Sequence, residues 1–228
     1  MKIKSLRSVL NFWQKNFLIT AVFAVVFTSC DKDKDEYSSP TPFSGGISGT
    51  IEGVYANWDF VAINFNGRDI IETTPIIDGK FTFSSLPTPK PEYLEPFIES
   101  EEIPSNFQIQ ISDRDAKLCN IPFLLAIKGE IDASYYGIII AQSVVAVNSV
   151  TRVLYYYADR DVKIKGSYSS NEIGIKQSSE INMNLNLKQG WNTVHLITVG
   201  TEENGLTRTL KNGLPFSETA WTALTGIF

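Results

Sequence analysis

From residue 46 onward, apolar and polar positions alternate in short runs, and no apolar spacing of three and four residues is sustained. That pattern predicts strands rather than helices. In "INMNLNLKQG", Ile181, Met183, Leu185 and Leu187 alternate with asparagines, so one face is aliphatic and the other carries amides. Lys188-Gln189-Gly190 then predicts a turn, with Trp191–Val199 returning as the partner strand. Phe107, Ile109 and Ile111 alternate with Gln108, Gln110 and Ser112, and Phe81 and Phe83 share a face opposite Lys80, Thr82 and Ser84. Further strands are expected in "GISGTIEG" (46–53), "FVAINF" (60–65), "FLLAIKG", "YYGIIIAQ", "TRVLYYYADRDVKIKGSY" and "GLTRTLKNG".

Turn chemistry adds connectivity. Asn66-Gly67 and Asp78-Gly79 supply adjacent residues that tolerate φ > 0, the requirement of two-residue type I′ turns, and each predicts a hairpin. The stretch "LPTPKPEYLEPFIESEEIP" (86–104) holds five prolines and five glutamates. Proline removes a donor and fixes φ, so this stretch predicts a linker, with one helical turn around Tyr93–Glu101. The expected plan is a small sandwich region at 46–88, a linker at 89–105 and a larger sandwich at 106–228. The expected class is all-β, with antiparallel sandwiches of immunoglobulin-like or transthyretin-like type.

The N-terminus follows a different pattern. Lys2, Lys4, Arg7 and Lys15 precede an apolar run from Phe17 to Phe27 that is broken only by Thr20. A basic segment, a short apolar core and a small-residue end define a secretory signal peptide, and the core is shorter than the roughly 20 residues of a membrane-spanning helix. An uncleaved anchor helix is the alternative. Phe27, Thr28 and Ser29 before Cys30 resemble the lipobox of bacterial lipoproteins, although Phe27 replaces the usual Leu and Thr28 a more usual Ser or Ala. The resemblance implies a lipoprotein signal peptide at 1–29 and acylation, including palmitate, at Cys30. More than one acyl chain gives stable anchoring.

After Cys30 come Asp31, Lys32, Asp33, Lys34, Asp35 and Glu36. Such a run cannot build a core, and 30–45 reads as a disordered tether. It is also similar to the acidic surface-export signal of Bacteroidetes lipoproteins, which implies the cell surface of the outer membrane; its periplasmic face is the alternative. Residues 46–87 resemble transthyretin-like or carboxypeptidase-regulatory-like sandwich repeats. "YYYADRDVKIKG" followed by "LNLKQGWNTV" is similar to a pattern in uncharacterised Bacteroidetes lipoproteins, and that likeness implies no activity.

Charge narrows the partners. The chain carries a formal charge of −5; residues 1–29 hold four basic residues and no acid, so the remainder carries −9. Such a chain has no electrostatic attraction for phosphate backbones, which argues against nucleic acid. With Cys30 acylated, Cys119 has no disulfide partner, and its apolar surroundings predict a buried, inert thiol.

Catalytic chemistry is sparse. His195 is the single histidine, on a strand face with Trp191, Thr193, Ile197 and Val199, and a hydrogen-bonded structural histidine is expected. There is no Gly-x-Ser-x-Gly motif and no phosphate-cradling glycine loop, and one histidine excludes a zinc site built of histidines. Glu99, Glu101 and Glu102 lie in the proline-rich stretch and are expected to be solvated rather than a glycosidase pair. "SDRDAKLCN" (112–120) and "ADRDVKIKG" (158–166) share Asp-Arg-Asp-x-Lys, read as two polar hairpin tips or as a duplicated motif. Asp113/Asp115 and Asp159/Asp161 offer oxygens of the kind calcium takes, but Arg114 and Arg160 sit between the acids, so no metal or other cofactor is assigned.

Tyr155, Tyr156 and Tyr157 are the candidate ligand-stacking residues, since alternation puts Tyr156 on the face opposite its neighbours. The expected function is a non-enzymatic binding or accessory module for glycan or protein in the cell envelope, held to the membrane through Cys30. A hydrolase using two carboxylates and a structural component of an envelope complex are the alternatives.

Overall fold

The alternation is realised as strands throughout. The structure is a computed structural model and describes residues 42–52, 58–97, 108–129, 136–140, 143–171, 178–200, 205–214 and 221–224. In chain order the strands are β1 (Ile47–Glu52), β2 (Phe60–Phe65), β3 (Asp69–Pro75), β4 (Lys80–Phe83), β5 (Glu95–Pro96), β6 (Gln108–Ile111), β7 (Lys117–Ile121) and β8 (Leu124–Ile127). They continue as β9 (Tyr136–Ile140), β10 (Ser143–Ala146), β11 (Ser149–Ala158), β12 (Val162–Asn171), β13 (Ser178–Leu187), β14 (Gly190–Gly200), β15 (Leu206–Asn212) and β16 (Trp221–Leu224). The helical element among the described residues is one 3-10 turn, Pro91–Tyr93. The fold is all-β, as the pattern predicts.

Two sheets form. The first runs β3-β2-β8-β9-β16-β1-β4 and the second β5-β7-β11-β14-β15-β13-β12-β6, with β10 added beside β11. Most pairs are antiparallel; β1 with β16 and β13 with β15 are parallel. Both predicted turns are present, with positive φ at Asn66, Gly67, Asp78 and Gly79. The second has a consequence the sequence did not show. After the Ile77–Lys80 bridge its arms part: β3 stays on β2, and β4 crosses to β1 at the opposite edge. The tight turn therefore curls the first sheet until its edges meet, and the Thr74 hydroxyl donates to the Thr82 carbonyl at 2.9 Å. Edge strands brought together in this way are shielded from pairing with other chains.

The expected division at 89–105 does not separate two sheets. Strand β2 pairs with β8, and β1 with β16, so the first sheet draws on both halves of the sequence. Within the expected linker, Pro91–Tyr93 makes a turn and β5 pairs with β7 of the second sheet. Residues Pro40–Phe228 form one compact unit. Proline-rich composition removed donors but did not stop Pro89 and Leu86 from being buried.

Two cores result, and β11 serves both. Val153 and Tyr155 join Ile63, Phe65, Phe81, Ile121, Trp191 and Trp221 in the core between the sheets. Leu154 and Ala158 face the other way, onto Val162, Ile164, Leu185, Leu187, Val194 and Leu210, in a core that the second sheet wraps around itself. A strand covered on both sides reads as an unbroken apolar run, which is why "VLYYYA" showed no alternation. The asparagine-alternating strand behaves as expected: Ile181, Met183, Leu185 and Leu187 are buried, at 9% exposure or less.

Its partner is not the expected one. β13 and β14 leave their shared turn and splay, and β15 enters between them, parallel to β13 and antiparallel to β14. Asn212, at the end of β15, fills the fork. Its Oδ1 accepts from the Asn186 N–H and its Nδ2 donates to the Asn186 carbonyl, which satisfies ladder groups that a strand would otherwise pair.

The sheets are tied by the first hairpin. The Asn66 N–H donates to the Asn120 carbonyl, Asn66 Oδ1 accepts from the Asn120 N–H, and Nδ2 donates to the Tyr93 carbonyl. The chain also switches sheets from β7 to β8, where Asn64 Nδ2 reaches the Phe123 carbonyl at 2.9 Å. Part of the expected tether is fixed as well: Phe43 N–H donates to the Trp191 carbonyl, and its ring lies 5.4 Å from Tyr155.

Candidate functional site

Cys30 and the run Asp31, Lys32, Asp33, Lys34, Asp35 and Glu36 lie outside the described residues, as do Glu99, Glu101 and Glu102. Among the described residues no helix is long and apolar enough to cross a membrane.

The three tyrosines of β11 are placed, and they do not form a stacking platform. Tyr155 is 3% exposed in the inter-sheet core, and burial raises its pKa. Tyr157 packs against the same core, edge-on to Trp191 at 5.5 Å. Tyr156 packs into the second core; burial raises its pKa, and a hydrogen bond to Asn120 offsets part of that. Alternation correctly divided the rings between two faces, but both faces are covered.

His195 is held by the segment after β15: its Nε2 donates to the Leu214 carbonyl at 2.8 Å, which fixes the proton on Nε2. Gly213 lies against the ring. Cys119 is 1% exposed, and burial, with the Glu95 carboxylate second, pushes its thiol up to about 12. A raised pKa means that the folded state holds the proton more tightly. That contribution to stability is complete below the unfolded thiol's ordinary value and is lost as pH rises through about 12. Iodoacetamide at pH 8.5 is therefore expected to label the Cys119 peptide only in denaturant, as read by mass spectrometry. Stoichiometric labelling of the native chain within minutes would show an accessible thiolate instead.

The two Asp-Arg-Asp stretches meet. Strands β6 and β7 run antiparallel to β12 and β11 on either side of a bend, so 112–116 and 159–161 cross one corner of the second sheet side by side. The Ser112 N–H donates to the Lys163 carbonyl, and the Lys163 N–H donates to Ser112 Oγ. Asp113 Oδ1 accepts from the Asp115 N–H and Asp159 Oδ1 from the Lys117 N–H, both at 2.9 Å. The Arg160 guanidinium contacts Asp159 at 3.3 Å and Asp113 at 3.7 Å. Asp161 accepts from Lys188 Nζ at 2.7 Å and from the Gln189 N–H, so the Lys188 contact, then the backbone one, lowers its pKa.

These acids fasten a corner. Asp113, Asp159 and Asp161 each face a cation, and no group of three or more His, Cys, Asp or Glu among the described residues is placed to hold a metal. Exposed pairs of this kind contribute little individually. The depression of Asp161 favours folding above the ordinary carboxylate pKa and is lost as pH falls through the lowered value. Asp59 behaves alike at another strand end, held by the Gly129 N–H and then by Lys128.

A different cluster escaped the sequence reading. Directly paired residues point to one side of a sheet, so register gives the face of each side chain. Arg152 pairs with Leu196, which pairs with Leu210; Thr198 pairs with Arg208, which pairs with Ile181, which pairs with Tyr168. Leu196, Leu210, Ile181 and Tyr168 all pack in or against the second core. Arg152 and Arg208 thus face into the same curled sheet, on adjacent rows toward one end. Burial, and then the nearby Arg208, lower the Arg152 pKa. The Tyr168 hydroxyl is raised by burial while Arg208 opposes that rise.

The signal for this cluster was readable in phase. Arg152 occupies the inward phase of Leu154 and Tyr156, and Arg208 that of Leu206 and Leu210, so each puts a charge where alternation demands an apolar residue. These features define the protein by architecture: an all-β chain of two curled sheets with an arginine–tyrosine cluster inside the second. No family model, curated protein or solved structure matches the chain.

Proposed function

We propose that the protein is a lipoprotein of the outer membrane, acylated at Cys30 and displayed at the cell surface, and that it acts as a non-catalytic binding or accessory module for a glycan or protein ligand. The observation that carries the reading is the abrupt change at Cys30: an apolar run from Phe17 to Phe27, two small residues, the cysteine, and then Asp-Lys-Asp-Lys-Asp-Glu. An apolar segment of that length suits a cleaved signal, and acyl chains replace it as the membrane attachment. The charged run keeps the chain in water beyond the lipid. The fold supports the binding part, since both sheets are tied into one unit that can present side chains rigidly.

The test compares wild type, Cys30→Ala and a variant with Asp31–Glu36 neutralised. Wild type is expected to incorporate labelled palmitate and to be digested by proteinase added to intact cells. Cys30→Ala is expected to lose the label and leave the membrane fraction, and the neutralised variant to keep the label but resist digestion. Membrane attachment unchanged in Cys30→Ala would refute the lipid anchor. Digestion of the neutralised variant equal to wild type would refute the export signal.

A further inference from the structure

We infer that the outward face of the second sheet, centred on Lys165 and Lys211, is a docking surface for a linear polysaccharide of uronic acids. The inference rests on the binding-module reading and names the chemistry of its ligand; the lipid anchor plays no part in it.

Register builds the face. Lys165 pairs with Gln110 on β6 and with Asn184 on β13, and Asn184 pairs with Lys211 on β15. Directly paired side chains share one side of a sheet, so these four residues form one row across four strands. It lies opposite the side on which Ile164, Leu185 and Leu210 enter the second core, and all four residues are exposed. Beyond Lys211 the row meets His195, whose ring is held by the Leu214 carbonyl. The row is therefore four positions long, and amide and cation alternate along it. As the outside of the curl, it is open to a polymer laid across the strands rather than to a small molecule, which takes a concave pocket.

The charges on this row are unmatched. Lys90, Lys128 and Lys188 each contact a carboxylate. Among the described residues, no carboxylate contacts Lys165, Lys211 or Lys163, the next outward residue of β12. Asp161, beside Lys163 in sequence phase, is taken by Lys188 at 2.7 Å. Glu180 faces the same side, but it lies four residues from Asn184 along β13, about 13 Å away. Screening at physiological ionic strength acts over about 8 Å, so a ligand on the row meets the lysines while more distant acids are largely screened. The net charge of −9 on residues 30–228 therefore does not repel an anion from this place.

Spacing selects the anion. Neighbouring strands lie about 4.8 Å apart, which puts the backbones of Lys165 and Lys211 about 10 Å apart. A 1,4-linked ribbon of equatorially joined pyranose rings advances by roughly one strand spacing per ring and turns alternate carboxylates to the same side. Its carboxylates then fall on the two lysines, whose ammonium groups each offer three donors on a flexible stem. Its hydroxyls fall on the amide positions. Asn184 already has a partner in the fold, but an amide has two donors and an acceptor oxygen to share. Duplex nucleic acid carries one charge per about 1.7 Å, far denser than these lysines match. The row also has no ring on which a base could stack and no apolar side chain to enter a bilayer. Propensity points the same way: asparagine is depleted in strands, yet Asn182, Asn184 and Asn186 take three successive outward positions of β13. Local rules of this kind are broken where a surface has a function.

The full chain, purified in non-ionic detergent, would be titrated calorimetrically with β-1,4-linked oligomannuronates and with neutral mannan oligomers of the same linkage. Saturable binding of oligomannuronate and none of mannan is expected, with affinity rising up to the tetramer and then levelling off. Lys165→Gln and Lys211→Gln should each weaken binding roughly threefold, the scale of an exposed ion pair, and together about tenfold. Both side chains are exposed, so melting temperatures should stay at the wild-type value; the single variants carry the test if the double variant unfolds. Lys80→Gln removes the same charge at an exposed position of β4 in the first sheet and should leave affinity unchanged.

Absence of saturable oligomannuronate binding to wild type would overturn the inference, and so would equal affinity in the folded double variant. A loss in Lys80→Gln as large as in Lys165→Gln would also overturn it, by making net charge the cause. Displacement of the oligomer by phosphatidylglycerol mixed into the micelles, or by a DNA duplex, at lower concentration than by free oligomannuronate would assign the face to phosphates instead. Equal capture of envelope glycan by wild type and the double variant would remove this site and leave the binding-module reading standing. Failure of wild type to capture any envelope glycan or protein would count against that reading separately.

Discussion

Trp221→Ala is expected to destabilise the fold by about 4 kcal/mol, the upper range for truncating a buried aromatic. The indole is fully buried (0% exposed), packs edge-on to Phe81 at 5.3 Å and donates from Nε1 to the Ser48 carbonyl at 3.2 Å. Removing it leaves a cavity in the inter-sheet core and an unpaired carbonyl, and it weakens the parallel seam between β1 and β16. With a urea m-value of about 2 kcal/mol/M, the midpoint should fall by about 2 M. Trp221→Phe should fall by less than half as much, since it keeps a ring and loses mainly the hydrogen bond.

Coupling gives a sharper test of the cause. Gly49 lies on the neighbouring strand, and a Cβ there would come within 2.0 Å of the Trp221 ring. Gly49→Ala should therefore be strongly destabilising in wild type and much less so beside Trp221→Ala, a coupling of at least about 1 kcal/mol. Strict additivity of the two would mean that the indole does not occupy this space.

The second large effect lies on the other sheet. Gly166 sits in the middle of β12 with φ +140°, and a Cβ there would come within 1.9 Å of the Gln108 carbonyl oxygen and 2.8 Å of the Ile109 Cα. Both obstacles are backbone, so no side chain can move aside. Gly166→Ala is expected to cost about 3 kcal/mol or more, combining backbone strain of about 1–3 kcal/mol with separation of β6 from β12. Gly79→Ala is the control. It also has positive φ, +73°, but nothing lies within 4 Å of the added methyl, so it should cost about 1 kcal/mol. Equal costs at the two positions would show that φ alone matters and that β6 does not approach as closely as the structure has it. Hydrogen exchange should also report the difference, with protection lost in β6 and β12 for Gly166→Ala only.

The all-β class, individual strands and both tight turns were legible because they depend on local physics. Alternation with period two marks a half-buried strand wherever one face meets solvent, as in 181–187 and 80–83. Asn-Gly and Asp-Gly announce positive φ from their own chemistry, and both turns formed. The buried thiol of Cys119 followed from its apolar neighbours in the same way.

What lay beyond the sequence were the choices made between distant segments. Whether β14 pairs with β13 or with β15 is decided by which strand can bury its apolar phase in the shared core, and the turn at 188–190 carries no information about that. The bend that joins the two Asp-Arg-Asp stretches, and the closure of the first sheet by an ordinary two-residue turn, depend on sheet curvature set by all the strands together. The tyrosines of β11 were divided correctly by alternation, but only the tertiary fold put a core on each side of them. Arg152 and Arg208 stand 56 positions apart in the chain and meet because two ladders carry them onto one inward face. Sequence by itself determined the strands and the turns, because each rests on interactions between near neighbours. The tertiary structure decided the pairing order, the two cores and the arginine cluster, because each is settled by competition among segments for the same buried surface.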